Sequence, residues 1–380
     1  MKIAYIFAGN LPSERANTIQ VMKVCQAFSR LGHELTLFAP TSGPTNPAWE
    51  SLAEHYGLST FFNIEFFPID PIFKRRSIPW KGLRRAIRMD ADLLYSRALP
   101  PAVLGLLFRI PVILEMHQLP AGRFGPLWYK LFLRLPGRKL LVPITNALKD
   151  SLQEKYSPAL PDRDVVVASS GVDLDRYQNL PDPVSARRML NLPQKFTVVC
   201  SGHLYRGRGM ELVIELAGCL PAMNFLWAGG TIEDVAKWRT TILAKGLKNI
   251  TLTGFIPNQH LPLYQAASDV LLIPYDDGFT NSGGENISAV SSPMKIFEYM
   301  AAERPILSSD LPVLREVLDT NNVIFCPAGD VSAWQKALLD LEAHPARGKQ
   351  ISAQARSDVE KYSWEERCRS ILTVFNRGTP

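Results

Sequence analysis

One pattern, met twice, constrains this chain more than any other feature. Lys2 to Phe7 is a short β-branched and aromatic run that leads into Gly9 and Asn10 and a polar loop. Helical character follows near Ala16 to Leu31, Gly32 suits the left-handed stop of that helix, and a second apolar run covers Glu34 to Phe38. This is a strand, glycine loop, helix, strand unit. It restarts far downstream, where Phe196 to Cys200 enters a glycine-rich loop and Met210 to Leu220 reads as a helix. Further short apolar runs lie at Leu93 to Ser96, Val112 to Met116, Leu140 to Ile144 and Val165 to Ala168 in the first half. Phe225 to Ala228, Ile250 to Thr253, Val270 to Ile273 and Ile306 to Ser308 supply the second. Near-continuous apolar strands between helices predict parallel sheets covered on both faces. The 380 residues suit about two such α/β domains. The stretch Asp173 to Gln194 is polar, carries Pro181, Pro183 and Pro193, and reads as the linker between them. Ligands of doubly wound sheets bind at the carboxyl ends of the strands, so the expected site is the cleft between two facing domains.

Composition excludes several alternatives. With 46% hydrophobic and 21% charged residues the chain is neither disordered nor a coiled coil. No run of about 18 uncharged apolar residues predicts a spanning helix. The opening MKIAYIFAGN lacks the length and the cleavage site of a signal peptide. Five scattered cysteines without a CxxC pair fit reduced thiols and a cytoplasmic setting. The net charge of +6 is a mild excess that suits anionic partners.

Three clusters could carry chemistry. The first is the loop Ser201-Gly202-His203-Leu204-Tyr205-Arg206-Gly207-Arg208-Gly209, set between a strand and a helix. Glycines let the backbone approach an anion, helix N-termini present free N–H groups, and arginine forks match phosphate oxygens. Neither the GxxxxGK[ST] nor the full GxGxxG spacing is present, and an ordinary turn would read the same way. The second is Ser291 to Asp310. Here Ser292 is the candidate N-cap, Pro293 stands at the first turn, and a short helix ends near Arg304-Pro305. Glu298 in that helix could accept both hydroxyls of a ribose, or be a surface carboxylate. The third is Glu115-Met116-His117 at a strand end, where Glu115 and His117 project to one side.

Taken together, these residues resemble glycosyltransferase family 4, retaining enzymes with the GT-B fold. The likeness runs over nearly the whole chain. It includes the opening strand with Gly9, the Glu115–His117 strand end, Gly171-Val172-Asp173, and the loop Gly202 to Gly209, which is similar to the family's GRLxxxKG. Gly254-Phe255-Ile256-Pro257, Ala267-Ser268-Asp269 and Glu298-Tyr299-Met300-Ala301 complete it, in an SPxKxFEYMA-type variant. The resemblance implies two facing Rossmann-like domains. Residues 1–180 form the acceptor-side domain, with 364–380 returning to it, and residues 190–363 bind the nucleotide-sugar. It implies that Gly9 and Asn10 approach donor or acceptor, that His117, supported by Glu115, lies by the donor sugar, and that Arg208 replaces the family's phosphate-binding lysine. It places Gly202 and the N–H groups near Met294 and Lys295 at the phosphates, with Arg206 as further charge. Phe255 and Ile256 fall near the base, and Glu298 at the ribose. Two positions depart from the pattern. His203 stands where the family has arginine, and Val290 where E-x7-E has its first glutamate; Arg206 could compensate for the one, and Ser291, Ser292, Lys295 or Glu285 for the other.

The activity implied is that of a hexosyltransferase (EC 2.4) that uses a UDP- or GDP-sugar and a glycan or lipid-linked acceptor. Neither cofactor nor metal is expected, so Asp90-Ala-Asp92 and Asp173-Leu-Asp175 are not read as metal sites. Val290 motivates a rival of another class, a weak or inert nucleotide-sugar-binding protein. Lys74 to Arg88, KRRSIPWKGLRRAIR, holds seven basic and no acidic residues among fifteen, with Trp80 and Ile87 interleaved. Arg123 to Lys139 mixes basic residues with Phe124, Trp128, Tyr129 and Phe132. Such segments suit the anionic inner face of a membrane, or a solvated basic face over a buried aromatic helix. No recognition motif supports nucleic acid as partner.

Overall fold

The computed structural model describes residues 1–41, 45–70, 72–281 and 283–377, which form two compact units. The first comprises residues 1–170, 290–292 and 364–380, of which 378–380 lie outside the described residues. Its elements run β1 (Lys2–Ile6), α1 (Ala16–Arg30), β2 (Glu34–Pro40), α2 (Trp49–Tyr56), β3 (Asn63–Phe67), α3 (Ile78–Arg88), β4 (Leu93–Ser96), α4 (Leu99–Leu107), β5 (Val112–Met116), α5 (Gly125–Arg134), β6 (Lys139–Pro143) and α6 (Asn146–Lys155). The strands form one parallel sheet in the order β3-β2-β1-β4-β5-β6. The order reverses between β1 and β4, which makes their carboxyl ends the switch point where such sheets bind ligands.

The central strands are mostly apolar and buried because both faces are covered. Ala4, Ile6, Leu94, Val112 and Leu114 pack with residues of α3 to α6 in one layer. On the other face Tyr5 stacks on Tyr95 with ring centres 5.0 Å apart, and Phe28 of α1 meets Tyr95 edge-on at 5.3 Å. A last helix of the chain, Trp364–Arg377, packs against α1 on this side. Its apolar stripe, Trp364, Cys368, Ile371, Leu372 and Phe375, is buried.

The second unit holds residues 171–289 and 293–363. It contains α7 (Pro183–Met189), β7 (Thr197–Ser201), α8 (Met210–Cys219), β8 (Asn224–Ala228), α9 (Ile232–Ala244), β9 (Ile250–Leu252), α10 (Leu261–Ala266), β10 (Val270–Ile273), α11 (Met294–Ala301), β11 (Ile306–Ser309), β12 (Ile324–Cys326), α12 (Val331–Ala343) and α13 (Pro345–Asp358). The C-terminal helix of the first unit is α14. The second parallel sheet, β12-β11-β10-β7-β8-β9, repeats the same order, with its switch point between β7 and β10.

The structure differs from the sequence reading at four places. Asp173 to Gln194 is no linker. The chain enters the second unit at Gly171, Tyr177 is buried in its core, and Ala186 packs with Ala266 and Ala267. The prolines that suggested a linker mark a capped helix instead: Asp182 accepts from the N–H groups of Val184 and Ser185, both at 3.0 Å, and Pro183 opens α7. Val165 to Ala168 is not a strand, although Val166 and Ala168 donate to the carbonyls of Leu141 and Pro143. The edge strands β3 and β12 were unforeseen. Finally, Ser292 does not cap α11, which begins after Pro293 and ends at Ala301; Ser292 lies in the first unit, bonded to Ser170.

The burial of α14 gives a stability prediction. Ile371 is fully buried, so Ile371→Ala should destabilise the first unit by about 2–5 kcal/mol. Denaturant unfolding followed by fluorescence checks this; an unshifted first transition would show that α14 adds nothing to that core.

Candidate functional site

In the second unit the loop Gly202 to Gly209 leaves β7 and runs straight into α8. Two of its glycines are required by packing. A Cβ on Gly207 would stand 2.3 Å from Asp276 Oδ1, and one on Gly209 2.1 Å from the Pro274 carbonyl, and both residues have positive φ. The loop is thus pressed against the chain leaving β10, across the switch point of the sheet.

That approach places Arg208 over aromatic rings. Its guanidinium carbon lies 4.7 Å from the centre of Tyr275 and 4.8 Å from that of Phe279. One terminal nitrogen donates to the Thr280 carbonyl at 2.9 Å, while the buried Nε has no partner. Lys295, in the first turn of α11, reaches the same ring: its Nζ is 4.9 Å from the Tyr275 centre and 5.9 Å from Trp227. Lys295 is only 9% exposed. Its one hydrogen-bond neighbour among the described residues is Cys200 Sγ at 3.7 Å. Burial raises the pKa of that thiol against the pull of Lys295, which leaves it uncharged at neutral pH. The Lys295 ammonium also lies 3.6 Å from where a Cβ on Gly202 would stand, at the head of the loop. Arg206 is exposed, and its carbonyl accepts from the Thr280 N–H at 3.2 Å. The His203 ring stacks on Tyr205 at 4.7 Å.

Glu298, one turn further along α11, is held from α10. Gln265 Nε2 donates to Glu298 Oε2 at 3.3 Å, and the Tyr177 hydroxyl donates to Gln265 Oε1 at 2.9 Å. Gln265 is fully buried, and the Tyr177 phenol is pushed well up, first by burial and then by the Glu298 charge. The tyrosine therefore remains a donor, and the two residues fix the carboxylate from behind. Neither was foreseen; a glutamine on the buried face of a short helix was the available signal. Met294 opens α11, and Phe255 and Ile256 are half-buried in the turn after β9.

In the first unit the loop after β1 carries Gly9 and Asn10. A Cβ on Gly9 would run into the Phe7 ring, and the Asn10 amide oxygen accepts from Arg75. At the end of β5, Glu115 is fully buried among three hydrogen-bonding side chains and one ion-pair partner. Gln20 Nε2 lies at 2.9 Å, His117 Nε2 at 2.5 Å and Arg367 of α14 at 3.1 Å, with the Tyr95 hydroxyl as the fourth. Burial alone would raise the pKa of this carboxyl. Arg367, the His117 contact and Arg97 outweigh it and hold the group well below the usual range. A carboxylate only accepts, so His117 Nε2 carries the proton and Nδ1 keeps its lone pair. Burial and then Arg97 push the His117 pKa down to about 4 against the opposing pull of Glu115. At neutral pH His117 is an uncharged acceptor, oriented by an ion.

Val290 belongs to the first unit, where it packs against the core layer of α3 to α6 and its carbonyl accepts from the Thr145 hydroxyl at 3.0 Å. Of the substitutes considered for a glutamate there, Ser292 is engaged by Ser170 and Glu285 sits on an exposed loop with Asn281.

Two family profiles match the chain: Glycosyltransferase Family 4 over residues 18–176 and Glycosyl transferases group 1 over residues 195–344. An alpha-galactosylglucosyldiacylglycerol synthase of Streptococcus pneumoniae is 24% identical over 69% of this chain and 70% of its own length. The chain spans about half the length of further curated relatives that it matches. Among solved structures, sucrose-phosphate synthase from Thermosynechococcus elongatus superposes with a TM-score of 0.76 at 17% identity, covering 99% of this chain and 98% of that one. Anabaena HepE in complex with UDP superposes with a TM-score of 0.75 at 15% identity, covering 99% and 100%. The same protein was also solved with UDP-glucose.

The Glu115–His117 pair predicts a two-step acid response. Folded His117 titrates near 4 against about 6.5 when unfolded, so the unfolded chain binds the extra proton and stability falls as pH drops from about 6.5 to 4. The depressed Glu115 has its stabilisation in full above about pH 4.3 and loses it only below that. His117→Gln should flatten the upper step and keep the lower one. Urea midpoints from about pH 3 to 8 check this; parallel curves for the two proteins would place the upper step elsewhere.

Proposed function

We infer from these matches that the chain is a family 4 glycosyltransferase of the GT-B fold. From that premise we propose that it moves a hexosyl group from a UDP- or GDP-sugar to a lipid-linked or glycan acceptor, with retention and without a metal ion. The observation that carries the donor half is the set at the carboxyl ends of β7 and β10. Arg208, held face-on by two rings, stands at the glycine loop, and Glu298, fixed by Gln265, stands in the helix beside it. The carboxylate suits the two hydroxyls of a ribose, and the guanidinium suits a phosphate. HepE, solved with UDP and with UDP-glucose on the same fold, supports this donor class.

In the reaction the bond between the anomeric carbon and the β-phosphate oxygen breaks, and its electron pair stays on the phosphate. Arg208 stabilises that charge, as preorganised donors do in a site sheltered from water. The acceptor hydroxyl forms the new bond on the same face and passes its proton to the leaving phosphate. Neutral His117 offers Nδ1 as an acceptor for a sugar hydroxyl. The alpha-linked product in the name of the pneumococcal relative supports retention, and its diacylglycerol moiety supports a lipid acceptor.

A screen of UDP-, GDP- and ADP-sugars by thermal protection and slow hydrolysis tests the donor. Arg208→Ala and Glu298→Ala should each lower kcat/KM by about 10²–10³. Wild-type kinetics in either variant would move the donor site away from β7 and α11. Protection without turnover on any acceptor would favour the inert binder that Val290 suggests.

We also propose peripheral docking on an anionic bilayer. No helix among the described residues is long and apolar enough to cross a membrane. Around α3, α4 and α5, Ile72, Phe73 and Leu127 are 81%, 62% and 64% exposed, and Trp80 meets Phe108 in an exposed aromatic pair. Lys74, Arg75, Arg84, Arg88, Arg123 and Lys130 are exposed on the same stretches of chain. Each basic residue near such a surface contributes about 1 kcal/mol. The full chain should float with vesicles of phosphatidylglycerol and not of phosphatidylcholine, and Trp80→Ala with Arg84→Ala should weaken flotation. Equal, negligible binding to both vesicles would exclude the docking face.

A further inference from the structure

We infer that Lys295 is a second diphosphate-binding cation, paired with Arg208 across the Tyr275 ring. The inference rests on the donor reading above and deepens it. Its starting point is a mismatch of charge. An ammonium with 9% exposure normally has a carboxylate or several carbonyls beside it, since burying it alone costs several kcal/mol. Among the described residues Lys295 has an uncharged thiol and the rings of Tyr275 and Trp227. Aromatic faces attract a cation but leave its charge uncancelled.

Arg208 repeats the mismatch on the same ring. It too lies against aromatic faces, makes no ion pair among the described residues, and its buried Nε is unpartnered. Two like charges so near one ring repel each other, and the fold gains nothing from holding both. A ligand that carries two negative charges cancels both. The place is defined as well: Lys295 Nζ is at the head of the Gly202 loop, and Arg208 is at its foot, where α8 begins. A diphosphate along this loop presents one phosphate to each cation, the fork of Arg208 taking two oxygens and Lys295 acting as a point charge. A single carboxylate would leave one cation uncompensated. Arg206, exposed at the middle of the loop, is the less confined charge.

Calorimetric titration of the full chain with UDP, GDP, uridine and guanosine tests this. Wild type should bind one diphosphate more tightly than its nucleoside. Lys295→Met should weaken that diphosphate about 10- to 100-fold and leave the nucleoside within about twofold. Its Tm without nucleotide should be no lower than wild type, because an uncompensated charge has gone. Lys295→Gln, uncharged but polar, should give the same loss if the Met variant folds poorly. An unchanged ratio of diphosphate to nucleoside affinity, with a lowered Tm in both variants, would make Lys295 a structural cation and overturn the inference. If no diphosphate binds wild type above its nucleoside, the donor reading itself fails, and the inference with it.

Discussion

A carboxylate without solvent keeps its charge only if its neighbours pay for the lost hydration, and Glu115 is arranged so that they do. Its donors come from α1, β4, the end of β5 and α14, so one side chain ties together segments spread over most of the first unit. Arg367 is the decisive partner. It lies on the opposite end of the sequence, is itself buried, and also donates to the carbonyls of Ser169 and Ala168. Removing one member of such a pair typically costs about 3–5 kcal/mol, because the other charge stays buried. The placement of α14, its attachment to the Ala168–Ser169 segment and the tautomer of His117 all follow from this ion. The same buried charge orients the His117 imidazole at the end of β5.

The second unit follows the opposite rule. Its cations at the switch point are held in place but not neutralised. Ring faces fix Arg208 and Lys295, and packing of Gly207 and Gly209 against the chain after β10 holds the loop that carries Arg208. A site that must stabilise charge on a leaving phosphate needs this kind of poise: donors already oriented, with no internal carboxylate to displace. On the helix beside it Gln265 donates to Glu298 and is itself held by the Tyr177 hydroxyl. One unit thus closes its central charge with partners, and the other holds two cations against ring faces.

How much of this was legible depends on whether a residue acts through pattern or through distance. The buried strands β4, β5 and β10 were readable to the residue because both their faces are apolar. β3 and β12 were not, since β3 opens on Asn63 and carries Glu65, and β12 is only three residues long. The misread linker shows a limit of proline as punctuation: Pro183 after Asp182 starts a capped helix, and the same residues could have ended a domain. Glu298 and the glycine loop were visible because they sit in a local motif. Gln265, Tyr177 and Arg367 were not, because each acts on a residue distant in the chain and carries no local spacing.

The two departures from the family pattern also look different once the surroundings are known. Position 290 is not a polar position with its glutamate deleted. Val290 packs on an apolar layer and is fixed through its carbonyl by Thr145, so a carboxylate introduced there without other change would sit against hydrocarbon and raise its own pKa. At 203 the histidine is stacked on Tyr205, not extended as an arginine would be. Restoring glutamate at 290 is therefore expected to perturb the first unit before it repairs any sugar contact. The cations whose side chains are confined beside the loop are Arg208 and Lys295.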